Sequence, residues 1–341
     1  MDNVARFDSS RRGELFAETA DRLQLSDTVV EKDFWVCWTL KQIFSIEFLK
    51  NTLLFKGGTS LSKVFQAINR FSEDIDLAVD YATLGFVGAR DPRQEGISKT
   101  KQNKILEEML DACRQYIRNE FLPVLSERFH EVLADRYWAL TISPADPHIV
   151  QFRYPPSVAN RLAYFSPQVI LELGTHAEFI PRDTFRFRSF AAEQFPQLFE
   201  EPEVLVTALV AKRTFWEKAT ILHAEYHRPL ERPLPGRYSR HYYDLAMLAQ
   251  SDIKPAALAD FDLLATVVRH KQTFYPSAWA RYDLATPGSL RLVPRAERLP
   301  ALRLDYRDMA AMIFGGVPEF DWLIHQLALL ESEINRNIAH G

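Results

Sequence analysis

Apolar residues recur at helical spacing over the first fifty positions. Leu15, Thr19 and Leu23 share one stripe, and Val29, Val30, Phe34 and Trp38 share a second that begins after Ser26, so residues 9–50 are predicted to be helical. At Leu53–Phe55 the pattern shortens to a buried strand, and Gly57-Gly58 marks a tight turn. Leu61, Val64, Phe65 and Ile68 then follow the i, i+3, i+4, i+7 rule, which predicts a helix capped by Thr59 or Ser60. From Asp74 the period drops to two. Ile75, Leu77 and Val79 alternate with Asp74, Asp76 and Asp80, the pattern of a strand with Asp74 and Asp76 on one face.

Gly85, Gly88, Pro92 and Gly96 predict a mobile loop, leading into a helix that starts with Lys99, Lys101 and Lys104 and buries Ile105, Met109, Ala112, Cys113, Tyr116 and Ile117. Strand patterns return at Trp138–Ile142, Ile149–Tyr154 and Val169–Leu173. Beyond Pro202, the residues Val204, Thr207, Ala208, Ala211, Phe215, Ala219 and Leu222 read as one helix stripe, with Lys212, Arg213 and Lys218 on the other face. After a connector at Pro229–Pro235, the chain reads as helices to its end, closing on the stripe Trp322, Leu323, Gln326, Leu327, Leu330, Ile334. The expected fold class is α+β. Residues 1–200 form a sheet-containing core with N-terminal helices and a helical insertion around 98–135, and residues 201–341 form a helical C-terminal lobe.

The 341 residues are 47% hydrophobic, enough for a sizeable core or for two lobes. A net charge of −4 means that any nucleic-acid contact is a local patch. Cys37 and Cys113 are the sole cysteines and lack metal-ligand spacing, which fits a reducing cytoplasm and argues against disulfides or zinc. Met1–Arg6 shows no apolar signal core, and no apolar run approaches a membrane span. The expectation is a cytoplasmic protein without membrane contact.

Two like charges as close as Asp74 and Asp76 repel, and a divalent cation is the usual remedy. Mg²⁺, or Mn²⁺ in its place, takes carboxylate and phosphate oxygens together. The glycine turn admits a phosphate to the backbone, and the helix start offers N–H groups. Glu172 is the one acid on its strand. It either faces water from an edge or is paired or metal-bound, with Asp146 in a turn as the weaker alternative. Farther on, His223, His227, Arg228, Arg232, Arg237, Arg240 and His241 are interleaved with Tyr226, Tyr238, Tyr242 and Tyr243. Such a cluster suits a phosphate backbone with stacked bases, a base pocket, or an ordinary surface. His223 and His227 stand at i, i+4, but no acid or cysteine nearby completes a zinc set. Arg269-His270-Lys271 and the arginines of 291–307 add further positive charge.

The run Phe55-Lys56-Gly57-Gly58-Thr59-Ser60-Leu61, followed by Arg70-Phe71-Ser72-Glu73-Asp74-Ile75-Asp76-Leu77, resembles the signature of the polymerase-beta-like nucleotidyltransferase superfamily. Its form from Lys56 to Leu77 resembles the AbiEii/AbiGii toxin family in particular. Val30-Glu31-Lys32-Asp33-Phe34-Trp35-Val36 also resembles a stretch of that family, although Glu31 and Asp33 read by themselves as a charged helix face and Lys32 as a cation able to reach a phosphate. A third likeness lies in Glu217-Lys218-Ala219 and Arg240-His241-Tyr242-Tyr243-Asp244-Leu245, where His241 replaces the commoner Asp after Arg. The resemblance implies a mixed sheet flanked by helices and transfer of a nucleoside monophosphate from a nucleoside triphosphate. It places Lys56, Gly57, Gly58, Thr59, Ser60, Arg70, Ser72, Lys212, Arg213 and Arg240 at the nucleotide, and Asp74, Asp76, Lys218 and Asp244 in catalysis. Metal would fall to Asp74 and Asp76, with Glu172 as third carboxylate. Lys212 and Arg213 compete with Lys218 for the phosphate charge, and Asp244 either orients Lys218 or accepts a proton from the attacking hydroxyl. The implied acceptor is RNA, a tRNA 3′ end. The implied setting is the toxin of an AbiE-type (type IV) toxin–antitoxin pair that defends against phage by abortive infection, with a cognate antitoxin. A protein hydroxyl as acceptor and a non-catalytic binding module are the rival readings, and the intact Asp74-Ile75-Asp76 speaks against the second.

Overall fold

The computed structural model describes residues 1–72, 74–157 and 166–337, so Glu73 of the glycine–aspartate signature lies outside the described residues. The chain divides into two compact units. One comprises Met1–Val64 with Ser72–Leu209, the other Phe65–Phe71 with Val210 onward.

The first unit begins with α1 (Asp2–Ala5), α2 (Ser9–Leu23), α3 (Asp27–Ser45) and α4 (Glu47–Thr52), followed by β1 (Leu53–Lys56), α5 (Gly57–Lys63) and β2 (Asp74–Val79). Next come α6 (Lys99–Tyr116) and α7 (Leu122–Leu133), joined by a π turn over Ile117–Phe121, then β3 (Ala139–Ile142), β4 (Ile149–Arg153), β5 (Gln168–Gly174), β6 (Arg182–Arg188), α8 (Phe190–Gln194) and β7 (Glu203–Leu209). Helix starts are set by small polar caps: Asp8 accepts from Arg11 N–H, Ser26 from Val29 N–H and Ser98 from Lys101 N–H. The seven strands form one mixed sheet in the order β3-β4-β5-β2-β1-β7-β6. Ile75, Leu77 and Val79 point to one face, together with Phe55, Phe152, Leu171 and Val206, and pack in one core with Phe34, Trp35, Trp38 and Phe129. Trp35 stacks on Tyr154 with centroids 5.5 Å apart, and Trp38 meets Phe129 at 4.7 Å. Each fully buried apolar side chain contributes about 1.5–3 kcal/mol of transfer free energy. The second face is apolar at one end, where Leu54, Ala78 and Leu209 pack with Ala177 and Phe179.

Several expectations are corrected here. The stripe from Val204 to Leu222 is not one helix. Val204, Val206 and Ala208 alternate with Glu203, Leu205 and Thr207 to form β7, and α9 begins only at Ala211. The division of the chain accordingly falls after Leu209 rather than at 200/201, and Phe65–Phe71 joins the second unit. The helix after the glycines stops at Lys63, and Gln66 takes a left-handed φ of 49°, so Val64, Phe65 and Ile68 are not its next turns. The loop expected to be mobile carries ion pairs and a side-chain hydrogen bond. Arg93 pairs with Asp91 at 2.8 Å and Glu178 at 3.0 Å, and Gln102 donates to the Pro92 carbonyl. Strand β6 went unforeseen because its only apolar residues are Phe185 and Phe187, the signature of a charged sheet edge.

The second unit is helical: α9 (Ala211–His227), α10 (Ser239–Leu248), α11 (Ile253–Leu258), α12 (Phe261–Phe274), α13 (Leu299–Met309) and α14 (Phe320–Arg336). Phe215, Trp216, Leu245, Val267, Leu323, Leu327 and Leu330 are buried in it, whereas Trp322, expected on the inward stripe, is exposed. The segment Phe65–Phe71 is held here by Phe71 N–H donating to the Met312 carbonyl and Phe314 N–H donating to the Asn69 carbonyl, each at 2.7 Å. No helix among the described residues is long and apolar enough to cross a membrane.

Candidate active site

Strand β2 lies between β1, antiparallel, and β5, parallel. Lys56 pairs in register with Asp76, and Asp76 with Glu172. Residues opposite one another on adjacent strands share a face about 5 Å apart. Glu172, Asp76 and Lys56 therefore form a row across three strands, with Asp74 one step along on the same face. Asp74 and Asp76 are half-buried and Glu172 is exposed. Among the described residues, no three His, Cys, Asp or Glu side chains close on one point as a self-sufficient metal cage. Two aspartates that leave coordination positions to substrate phosphate suit Mg²⁺, which keeps few protein ligands and demands oxygen donors.

The turn after β1 is built around the second of these aspartates. Gly57 has a φ of +83°, and a Cβ placed on it would stand 1.8 Å from Asp76 Oδ2. The absent side chain is thus the seat of the Asp76 carboxylate. Gly57→Ala should displace that carboxylate and lower the nucleotide transfer that the resemblance implies by ~100-fold, the scale of a 1 Å misplacement of a reacting group. Steady-state turnover checks this, and full activity would show that the seat is dispensable. Neither Thr59 nor Ser60 caps the helix: the N-cap is Lys56, without a side-chain bond. The buried Thr59 hydroxyl is instead shared between the carbonyls of Asp74 (2.5 Å) and Ser72 (3.2 Å), and Ser60 donates to the Gly57 carbonyl at 2.8 Å. Both hydroxyls shape the turn and fix the start of β2.

Sequence reasoning missed the support beneath this turn. Glu31, Lys32 and Asp33 are buried, not a solvated face. Asp33 Oδ1 meets Lys63 Nζ at 2.8 Å, its Oδ2 accepts from Phe190 N–H at 2.7 Å, and the Lys63 ammonium rests 3.9 Å from the Phe190 ring centre. Burial works against the Lys63 charge, but Asp33 outweighs it and holds the ammonium's pKa above its ordinary value. This pair anchors α5 to α3 and α8. Lys32, read as a cation able to reach a phosphate, donates to the Ser166 carbonyl, and Glu31 accepts from Ser157 N–H at 2.6 Å. The available signal was apolar residues on every side of these charges, the mark of a buried helix. Lys63→Met is expected to cost about 3 kcal/mol by leaving Asp33 charged without its cation. Urea denaturation measures it, and an unchanged midpoint would contradict the pairing.

In the second unit Arg70, Lys218, His241 and Asp244 come together. Arg70 places its fork on Asp244, Nε to Oδ1 at 2.6 Å and Nη2 to Oδ2 at 2.9 Å. Lys218 Nζ reaches Asp244 Oδ2 at 2.7 Å and lies 3.4 Å from His241 Nδ1. Burial of Asp244 disfavours its charge, yet Arg70 and Lys218 prevail and hold its carboxyl well below the usual range. Burial pushes Lys218 down, against the pull of Asp244. Burial, then Lys218 and Arg240, push His241 well below its ordinary value, so its imidazole is neutral and Nδ1 can accept from the ammonium. A carboxylate with such a depressed pKa and donors on both oxygens is a poor proton acceptor and a good orienting group. Of the competing cations, Lys212 pairs with Asp260 at 2.7 Å, and Arg213 is fully buried with Glu217 at 3.2 Å. Arg240 is half-buried.

A family model described as nucleotidyl transferase AbiEii toxin, Type IV TA system, matches residues 38–326. No curated protein matches the chain. Among solved structures, the chain is similar to MenT4, a nucleotidyltransferase toxin from Mycobacterium tuberculosis H37Rv. The identity is 15% and the TM-score 0.47, with 93% of this chain and 98% of that one covered.

Proposed function

The chain belongs to the AbiEii nucleotidyltransferase toxin family of type IV toxin–antitoxin systems, and from this premise we propose that it moves a nucleoside monophosphate from a nucleoside triphosphate onto RNA, a tRNA 3′ end. The observation that carries the proposal is the row Glu172–Asp76–Lys56, with Asp74 beside it and Gly57 as the seat of Asp76. Asp74 and Asp76 would hold Mg²⁺ or Mn²⁺, while Glu172, in register with Asp76 on the neighbouring strand, adds negative charge beside them. When bound, such an ion stabilises charge on the phosphoryl oxygens. Lys56 offsets triphosphate charge from the adjacent strand. Thr59 holds the backbone that presents Asp74. The acceptor hydroxyl oxygen forms a bond to the α-phosphorus as the bond to the bridging oxygen breaks, and pyrophosphate leaves while the hydroxyl proton passes to solvent. Within the helical unit, Asp244 orients Lys218, and Arg70 completes the pairing of Asp244. In this reading the protein acts in the cytoplasm in phage defence and is neutralised by a cognate antitoxin.

The test is to incubate the protein with each α-labelled triphosphate, Mg²⁺, total RNA and cell protein. Label in RNA of tRNA size is expected. Label in protein instead would replace the acceptor, and no label with any triphosphate would point to a binding module.

A further inference from the structure

His223 is fully buried, and both its ring nitrogens are used. Nε2 donates to the Arg281 carbonyl at 2.9 Å, and Nδ1 accepts from Arg291 N–H at 3.1 Å. No lone pair is left for a metal. One turn of α9 thus stitches down two separate arginine-bearing segments. Glu331 fixes the second by accepting from Leu292 N–H and Val293 N–H.

The result sets two guanidinium groups over one aromatic side chain. Arg291 and Arg295 both lie over the half-buried Tyr226 ring, 5.6 and 5.5 Å from its centre. His227 packs edge-on to Tyr226 at 5.1 Å and to His223 at 4.7 Å. After burial, His223, Arg281, Arg295 and Arg291 push the His227 imidazole down to about 4, so it is neutral and adds no charge of its own. Two carboxylates answer the three arginines. Asp283 pairs with Arg281 at 2.9 Å, and Glu331 stands 3.4 Å from Arg291. Among the described residues no carboxylate pairs with Arg295. The side chains of Arg281 and Arg291 remain about half exposed, at 48% and 49%. Like charges gathered on a surface, with one uncompensated, bind a polyanion by releasing its counterions. Guanidinium planes beside an aromatic ring also suit single-stranded bases, which stack on both. On a chain of net charge −4, such a patch is local.

We propose that Arg291 and Arg295 over Tyr226, with Arg281 on the segment that His223 ties down beside them, form a docking surface for the phosphate backbone of an RNA acceptor. The inference rests on the RNA reading above and adds to it where that RNA is held.

The test is fluorescence anisotropy with a labelled RNA hairpin carrying a single-stranded 3′ end, over a series of salt concentrations. The wild-type chain is compared with Arg291→Ala/Arg295→Ala. The double variant should bind at least ~10-fold more weakly at low salt, and the slope of log affinity against log salt should flatten by roughly 1.4, at ~0.7 per phosphate contact. Nucleoside triphosphate affinity should be unchanged. Arg295→Gln, which breaks no ion pair, should give half the slope change and guards against a folding artefact. Wild-type RNA affinity and slope in both variants would overturn the inference while the RNA reading survives. A wild-type protein that binds no RNA but labels protein would overturn both.

Discussion

Asp76→Asn is expected to lower nucleotide transfer by ~10³-fold, the upper range for loss of one preorganised charge-stabilising group. Asn keeps the shape of the side chain, so the seat over Gly57 stays filled. It loses the anionic oxygens at the centre of the Glu172–Asp76–Lys56 row. Thermal stability should be unchanged or slightly higher, because removing one of a set of neighbouring carboxylates relieves repulsion. Turnover and a melting curve measured on the same preparation check both statements. Loss of activity together with loss of fold would not support a role in the site, and retained turnover would remove Asp76 from it.

Asp244→Asn should do the opposite and act first on stability. Asp244 is fully buried and is the shared anion of Arg70 and Lys218. Neutralising it leaves two buried cations facing each other, expected to cost about 5 kcal/mol, the upper end for breaking a buried pair. Denaturant titration reads this directly, and a loss under ~1 kcal/mol would contradict the triad. The same geometry sets the sign of the acid response. The folded pKa of Asp244 is depressed below an unfolded value near 4. Its contribution is therefore complete above about pH 4 and is lost as the pH falls from there towards the folded value. The Asp244→Asn variant should lack that component of acid unfolding.

What the sequence disclosed was local. The shared face of Asp74 and Asp76 follows from a period of two within six residues, and the structure has them on the sheet face opposite Ile75 and Leu77. The glycine turn was legible too, but not the reason for it: Gly57 makes room for Asp76, a contact formed only once β1 and β2 pair. Glu172 stood out as an acid on an apolar strand, while its register with Asp76 depends on parallel pairing that no local pattern encodes. Asp33 looked like a surface charge because hydropathy alone does not reveal its buried pair with Lys63. Strand β7 was misread because Val204, Thr207, Ala208 and Ala211 satisfy helical spacing by coincidence, and only the sheet decides between the periods.

The central claim is that the Asp74–Asp76 strand carries metal-dependent nucleotide transfer. The most direct measurement is incorporation of label from an α-labelled nucleoside triphosphate into RNA, with Mg²⁺ present, by the wild-type chain and by Asp74→Asn/Asp76→Asn at equal folded concentration. The account predicts labelled RNA with the wild type and none above background with the double variant. Equal labelling by the two proteins would contradict it.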